Sequence, residues 1–343
     1  MNKRLLILAD GALGIFSSKT ATSLLRYRGD EVVGVLDREH AGRTTREVLG
    51  VPAAVPIVGT MAEALKLNPD TLVLGIAPPG GGLPDHWREV IRAALEAGLS
   101  VFGGLHVFLA EDPEFSDLAR KHGGIIRDFR KPPEDHPIGL GRARETRALR
   151  LLTVGTDCSV GKMVASLELA AAARRRDLDT RFVATGQTGM MISGGGLTID
   201  RVPGDFMAGF VEKEVVAAGD ADVVVVEGQG CLLHPAYSGV TLALLHGTLP
   251  DAMVLVHHAG RDTIRYTNVP IPPLADWVRR YEDVVAPIHP GKVVGIAINP
   301  SECDPAEAAA VIRRAEDETG LPVVDVVSEG ADRLLEAALE LRR

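Results

Sequence analysis

The segment Gly155-Thr156-Asp157-Cys158-Ser159-Val160-Gly161-Lys162 has the composition of a phosphate-holding turn. Glycines at both ends let the backbone curl so that its N–H groups point inward. The start of the next helix and the lysine then add positive charge. In the common form, four residues separate the two glycines and Ser or Thr follows the lysine. Here five residues separate Gly155 from Gly161, and Met163 follows Lys162. All eight residues are expected to contact phosphate, but the hydroxyl that ordinarily ligates Mg²⁺ is missing.

Glu227 closes the apolar run VVVV and opens Glu227-Gly-Gln-Gly. A carboxylate at a strand end beside a phosphate loop suits either a metal or a substrate amine. A glutamate there is hard to bury unpaired, which weighs against a purely structural role. The same loop carries His234, and Pro235 biases His234 toward an extended backbone that aims it outward. The loops also bring in Cys158 and Cys231, which are either thioester-forming nucleophiles or small core residues.

A third glycine-rich stretch begins at Thr185-Gly186-Gln187 and runs through Ser193-Gly-Gly-Gly196 to Asp205. Its glycines allow close backbone approach to a ligand, and Gln187 is expected to contact it. Asp205 reads equally as a site carboxylate or as a helix N-cap before FMAGFVEKEVV. Arg261 is a fork for a carboxylate or phosphate. The adjacent His257 and His258 lack any HxxxH or CxxC spacing, so no metal site is expected from them. Asn299 either reads a nucleobase edge or forms a turn. Near the N-terminus, Asp10-Gly11-Ala12-Leu13-Gly14 is an incomplete GxGxxG, and Asp37 closes the next apolar run. Gly11 against a pyrophosphate and Asp37 on a ribose is the corresponding Rossmann reading. The glycine-rich 76–82 and 103–106 loops are further candidates for an adenosine-containing ligand, whereas Lys19 reads as a solvated helix residue.

The elements that must position these residues are two β-α-β series. LLILA (5–9), EVVGVLD (31–37), TLVLGIA (71–77) and LSVFGG (99–104) are continuous apolar runs, as expected of strands covered on both faces. Helical segments at 18–28, 61–67 and 85–97 separate them. LRLLTVG (149–155) then starts a second series, with further strands at 180–186, 221–230, 251–260 and 292–300 and a helix at 163–176. The Pro- and charge-rich stretch between reads as a linker over 131–147, separating a domain of 1–130 from one of 148–343. The expected class is α/β: an N-terminal Rossmann-like doubly wound sheet and a C-terminal P-loop NTPase-like domain.

Composition narrows the partners. At 343 residues, with 46% hydrophobic and 24% charged residues, the chain has material for two cores. A net charge of −9 leaves no basic excess to neutralise the phosphates of a nucleic acid. The apolar run after Lys3-Arg4 is about five residues, short of the roughly seven a signal h-region needs, and no stretch approaches a membrane span. Three distant cysteines fit a reducing cytoplasm rather than a disulfide framework. A homo-oligomer is the base-rate expectation.

The five-residue spacing within GTDCSVGKM is similar to that of dethiobiotin synthetase-like P-loop enzymes. Together, TVGTDCSVGKM, FVATGQTG, VEGQG…HPAYSGVTLALLHG and GLHVFLAEDP resemble a bacterial two-domain family joining a Rossmann-like domain to a P-loop domain, over residues 5–335. Met163 fits that family's pattern. An assigned member is a D-glutamate N-acetyltransferase, so the resemblance implies acetyl transfer from acetyl-CoA to the amine of D-glutamate. Glu227 or His234 would then be the base, Arg261 the carboxylate fork, and the 186–196 backbone the oxyanion donor. Two alternatives stand beside it: an ATP/Mg²⁺-dependent ligase or kinase using Lys162 with Glu227, Asp157 or Asp205, and a non-catalytic nucleotide sensor.

Overall fold

The computed structural model describes residues 3–14, 17–76 and 82–342. The chain divides into two compact units, one of Met1–Pro132 with Met190–Gly194, the other of Pro133–Gly189 with Gly195–Arg343.

In the first unit, β1 (Leu5–Leu8), β2 (Val32–Leu36), β3 (Ile57–Val58), β4 (Thr71–Leu74), β5 (Ser100–Gly103) and β6 (Ile126–Asp128) form one parallel sheet ordered β3-β2-β1-β4-β5-β6. This is the doubly wound order, with the reversal between β1 and β4. Leu5, Leu6, Ile7 and Leu8 are all wholly buried, because helices cover both sheet faces and every position of the strand needs an apolar side chain. The 76–82 loop falls largely on residues outside those described.

In the second unit, β7 (Leu149–Gly155), β8 (Thr180–Val183), β9 (Val223–Val226), β10 (Ala252–His258), β11 (Lys292–Asn299) and β12 (Val323–Val324) form a second parallel sheet, ordered β12-β11-β10-β7-β9-β8. β7 is central, pairing with β10 on one side and β9 on the other. Its Leu151 is wholly buried, and truncation to Ala there costs ~2–5 kcal/mol. The architecture is therefore α/β, with an N-terminal Rossmann-like domain and a C-terminal P-loop NTPase-like domain. Among the described residues no helix is long and apolar enough to cross a membrane.

The stretch read as a linker is built into the second unit. Ala143 and Ala148 belong to its core. The carboxylate of Glu212, 1% exposed, accepts the backbone N–H groups of Leu140 (3.0 Å) and Arg142 (2.9 Å). Gly139 packs on Ala208, and Gly209 leaves room for the carbonyl of Pro137. Prolines and charges looked like a tether, but they edge a segment held by one buried carboxylate.

Candidate active site

Sheet register assembles the site of the second unit. Pairing places Val256 of β10 beside Gly155, His258 of β10 beside Asn299 of β11, and Val226 of β9 beside both Leu152 and Val183. The residues following each strand, Thr156, Glu227, Ala184 and Ala259, therefore emerge along one edge of the sheet. Ligands of open α/β sheets bind beyond that carboxyl edge.

The phosphate loop leaves β7 at Gly155 and enters the helix Lys162–Arg175. Ser159 (φ +55°) and Gly161 (φ +115°) take left-handed conformations that turn the chain back on itself. Lys162 is 6% exposed and donates from Nζ to the Asp157 carbonyl at 2.7 Å. A Cβ at Gly155 would stand 2.8 Å from that Nζ, so glycine there gives the lysine its path across the strand end. Tyr281, wholly buried, donates its hydroxyl to the Gly155 carbonyl at 2.7 Å. Met163 is 4% exposed, pointing a thioether into the protein where a metal-ligating hydroxyl usually stands.

Asp157 is wholly buried, and both its carboxylate oxygens accept protein N–H groups. Its Oδ1 accepts Cys158 N–H at 2.7 Å; its Oδ2 accepts Arg261 Nη1 at 2.9 Å and Arg265 N–H at 2.8 Å. Arg261 Nη1 also donates to the Cys158 carbonyl at 2.8 Å. The arginine expected to fork a substrate carboxylate thus clamps the loop, and the aspartate expected as a phosphate or Mg²⁺ contact is its anchor. Asn299 likewise holds the loop: Nδ2 donates to the Val160 carbonyl at 3.2 Å while Oδ1 accepts Ser301 N–H at 3.2 Å. Val160 is wholly buried in the core, so its side chain contacts no ligand.

Glu227 is 5% exposed at the end of β9 and accepts Thr185 N–H at 3.0 Å through Oε2. Thr185 Oγ1 donates back to the Glu227 carbonyl at 2.7 Å, and Gln229 Nε2 donates to the Thr185 carbonyl at 2.5 Å. A Cβ at Gly189 would collide with Glu227 Oε2, and one at Gly228 would collide with the Thr153 backbone. These two glycines bring the carboxylate under the β8 loop and against β7. Thr153 Oγ1 accepts Gly228 N–H at 2.9 Å and lies 2.8 Å from Ser166 Oγ, one turn after Lys162. Glu227 and the phosphate loop are therefore mechanically joined.

His234 is 2% exposed. Its Nδ1 accepts Ala236 N–H at 3.2 Å, which leaves Nε2 as the donor to the Arg265 carbonyl at 3.1 Å. Both ring nitrogens are spent on backbone, so the outward-aimed base expected from Pro235 is a buried strut. Gln187 begins a short helix, Gln187–Ser193, where a glycine-rich loop was expected. Asp205 lies exposed in the first turn of the helix Gly204–Ala217, whose N-cap is Pro203. Cys158, Cys231 and Cys303 are free thiols. Burial, with the charge of Asp157 beside it, raises the Cys158 thiol; burial pushes Cys231 up to about 11.

His257, set aside as a metal ligand on its spacing, has a partner that the sequence did not suggest. His257 Nδ1 lies 2.9 Å from Thr156 Oγ1, joining the end of β10 to the loop. Burial, then the charges of His258 and Arg261, push its pKa down to about 4, so the ring is neutral at physiological pH. Metal-ligand spacing does not reveal this role, since the partner is a hydroxyl just past the end of the neighbouring strand. Asp157, Cys158 and His234 do place one ligand atom each within 4.8 Å of one another. Both His234 ring nitrogens are committed to backbone, so a metal there would have to displace one of those hydrogen bonds.

In the first unit, Asp37 is wholly buried and accepts from all sides. Gly11 N–H reaches Oδ2 at 2.8 Å, while His40 N–H (3.0 Å) and His40 Nδ1 (2.9 Å) reach Oδ1. Burial pushes this carboxyl up, but the hydrogen bonds from His40 and Gly11 outweigh it and hold it below the usual range. The ribose ligand expected of Asp37 is instead the pin of the Gly11 turn, and Gly11 (φ +81°) spends its N–H on that pin.

Residues 137–335 match a domain of unknown function, the DUF1611 P-loop domain, and residues 38–132 match the DUF1611 Rossmann-like domain. A DUF1611 family protein from Anabaena variabilis, known from its crystal structure, is 44% identical with a TM-score of 0.93, over 99% of this chain and all of that one. A protein of Tritonibacter scottomollicae named D-glutamate N-acetyltransferase is 37% identical over 97% of both chains. One of the same name from a Pseudoalteromonas species is 36% identical over 93% of both.

Proposed function

Because the chain belongs to the DUF1611 family, we propose that it moves the acetyl group of acetyl-CoA to the amine of an acidic amino acid, D-glutamate foremost. The supporting observation is a phosphate loop built without a magnesium hydroxyl: Lys162 is fixed on the loop, and buried Met163 follows it. CoA carries a pyrophosphate and a 3′-phosphate, which such a loop can hold by backbone N–H groups and one ammonium. The name borne by the relatives at 37% and 36% identity supplies the acceptor.

In this reading Glu227 takes a proton from the substrate ammonium. The freed amine attacks the thioester carbonyl, forming the C–N bond; the C–S bond then breaks, and the second proton shed by the nitrogen passes to the departing sulfur, so that CoA leaves as thiol. The N–H groups opening the helix Gln187–Ser193 steady the oxyanion. Arg261, His257 and Asn299 act on the loop and not on the substrate. Direct transfer is favoured over an acetyl-cysteine, because burial disfavours the thiolate of both Cys158 and Cys231. The ATP/Mg²⁺ alternative loses a ligand, since both oxygens of Asp157 already accept protein N–H groups. Free cysteines at all three positions suit a reducing compartment.

The test supplies the purified chain with D-glutamate and either acetyl-CoA or ATP-Mg²⁺ while following free thiol and ADP. Thiol release that depends on D-glutamate is expected. ADP formation without thiol would contradict the proposal, and neither product would point to the sensor reading.

A further inference from the structure

A polar concavity lies at the edge of the P-loop domain's sheet opposite the phosphate loop. A cavity of about 270 Å³ opens at the start of β7 and is lined by Arg144, Arg147, Arg150, Arg342, Asp251 and His289 among others. Arg150 and Gly155 belong to the same strand, five residues apart, or about 17 Å. The cavity is therefore remote from the phosphate loop.

Arg150 is its fixed floor, 3% exposed. Nε donates to the Leu249 carbonyl (2.8 Å), Nη1 to the Ala143 carbonyl (2.6 Å) and Thr146 Oγ1 (3.3 Å), and Nη2 to Asp251 Oδ1 (2.7 Å) and toward His289 Nε2 (3.1 Å). Asp251, the one carboxylate of the lining, is consumed by this arrangement: Oδ2 accepts Arg150 N–H at 2.9 Å, and His289 Nε2 lies 2.9 Å from Oδ1. The other three arginines touch only carbonyls among the described residues. Arg144 Nε donates to Gly141 at 2.8 Å, Arg147 Nε to Asp220 at 2.9 Å, and Arg342 Nη2 to Arg147 at 3.1 Å. A carbonyl orients a guanidinium without neutralising it. Three oriented forks, none of them ion-paired among the described residues, therefore surround a concavity whose only acid among the described residues is already paired, in a chain of net charge −9.

We propose that this cavity binds a small multivalent oxyanion, through Arg144, Arg147 and Arg342 above the Arg150–Asp251 floor. Planar guanidiniums match carboxylate and phosphate oxygens equally well, so the shared chemistry is two or more anionic oxygens on one compact ligand. The site is independent of what occupies the phosphate loop.

The test is calorimetric titration of the full chain with inorganic pyrophosphate and, separately, with citrate. It is run on the parent, on the exposed pair R147A/R342A, and on K162A, which weakens the phosphate loop. One equivalent of binding should survive K162A and weaken at least tenfold in R147A/R342A, with R147K/R342K recovering most of it. Should K162A fail to fold, the parent still serves, because R147A/R342A should remove one equivalent from it. Tighter pyrophosphate identifies a phosphate-bearing ligand, and tighter citrate a polycarboxylate. Binding of both probes unaltered by R147A/R342A, or binding of neither, would overturn the proposal.

Discussion

Arg261 and Asp157 meet at 2.9 Å, joining the segment after β10 to the middle of the phosphate loop through a carboxylate with no solvent exposure. The arginine also holds the Cys158 carbonyl, so one guanidinium fixes two consecutive loop residues. Removing it leaves a buried charge held, among the described residues, by two backbone N–H groups. Arg261→Ala is therefore expected to cost ~3 kcal/mol of stability and to raise KM for acetyl-CoA about tenfold or more. Arg261→Lys should recover less than half of this, because one ammonium cannot reproduce the fork. Denaturant unfolding together with a KM measurement checks both; an unchanged KM would remove the arginine from the loop's support.

His257 supplies a pH dependence. Its folded pKa of about 4 lies below the ordinary value of 6.5, so the folded state favours the neutral ring. The unfolded chain binds this proton more readily, and stability rises with pH wherever that is so. The contribution is complete above pH 6.5 and is lost as pH falls toward 4, about 3 kcal/mol. Melting temperature followed between these limits should drop less in His257→Gln than in the parent. Parallel curves would contradict the assignment.

Gly189 separates site geometry from fold. A methyl group there must displace the Glu227 carboxylate, a side-chain atom, whereas one at Gly228 meets the backbone of Thr153. Gly189→Ala is expected to fold with a modest loss of stability while kcat falls about a hundredfold, as expected when a base is misplaced. Gly228→Ala should fail to accumulate as folded protein. Circular dichroism and initial rates on the two variants give the comparison.

The cysteines give a clean negative. With the thiol of Cys158 raised by burial and the Asp157 charge, and that of Cys231 raised to about 11, neither is poised as a nucleophile. Cys158→Ser and Cys231→Ala should keep kcat within about threefold, far less than the loss of a covalent step would cause. Acetylated cysteine trapped by mass spectrometry in the parent would contradict this.

Much of this organisation was legible in the residues. Continuous runs such as LLIL and VVVV marked strands covered on both faces, and glycines marked the loops at their ends. The two-residue strands Ile57–Val58 and Val323–Val324 were not legible, because edge pairing needs no apolar run. Site chemistry was legible by type but not by partner. Asp37, Asp157, His234, Arg261 and Asn299 were each identifiable as polar groups at strand ends, yet each hydrogen-bonds to protein. Periodicity and spacing identify the loop that carries a side chain; they do not say whether its hydrogen bonds are already filled. That depends on contacts such as Arg261 with Asp157, 104 residues apart.

The phosphate loop is proposed to present an acetyl thioester to the amine of D-glutamate beside Glu227. The most direct measurement supplies acetyl-labelled acetyl-CoA and D-glutamate, quantifying labelled N-acetylglutamate against released thiol in the parent and in Glu227→Gln. One labelled product per thiol is expected in the parent, with a rate at least about a hundredfold lower in the variant, as for loss of a general base. Thiol release without labelled N-acetylglutamate, or an equal rate in Glu227→Gln, would contradict it.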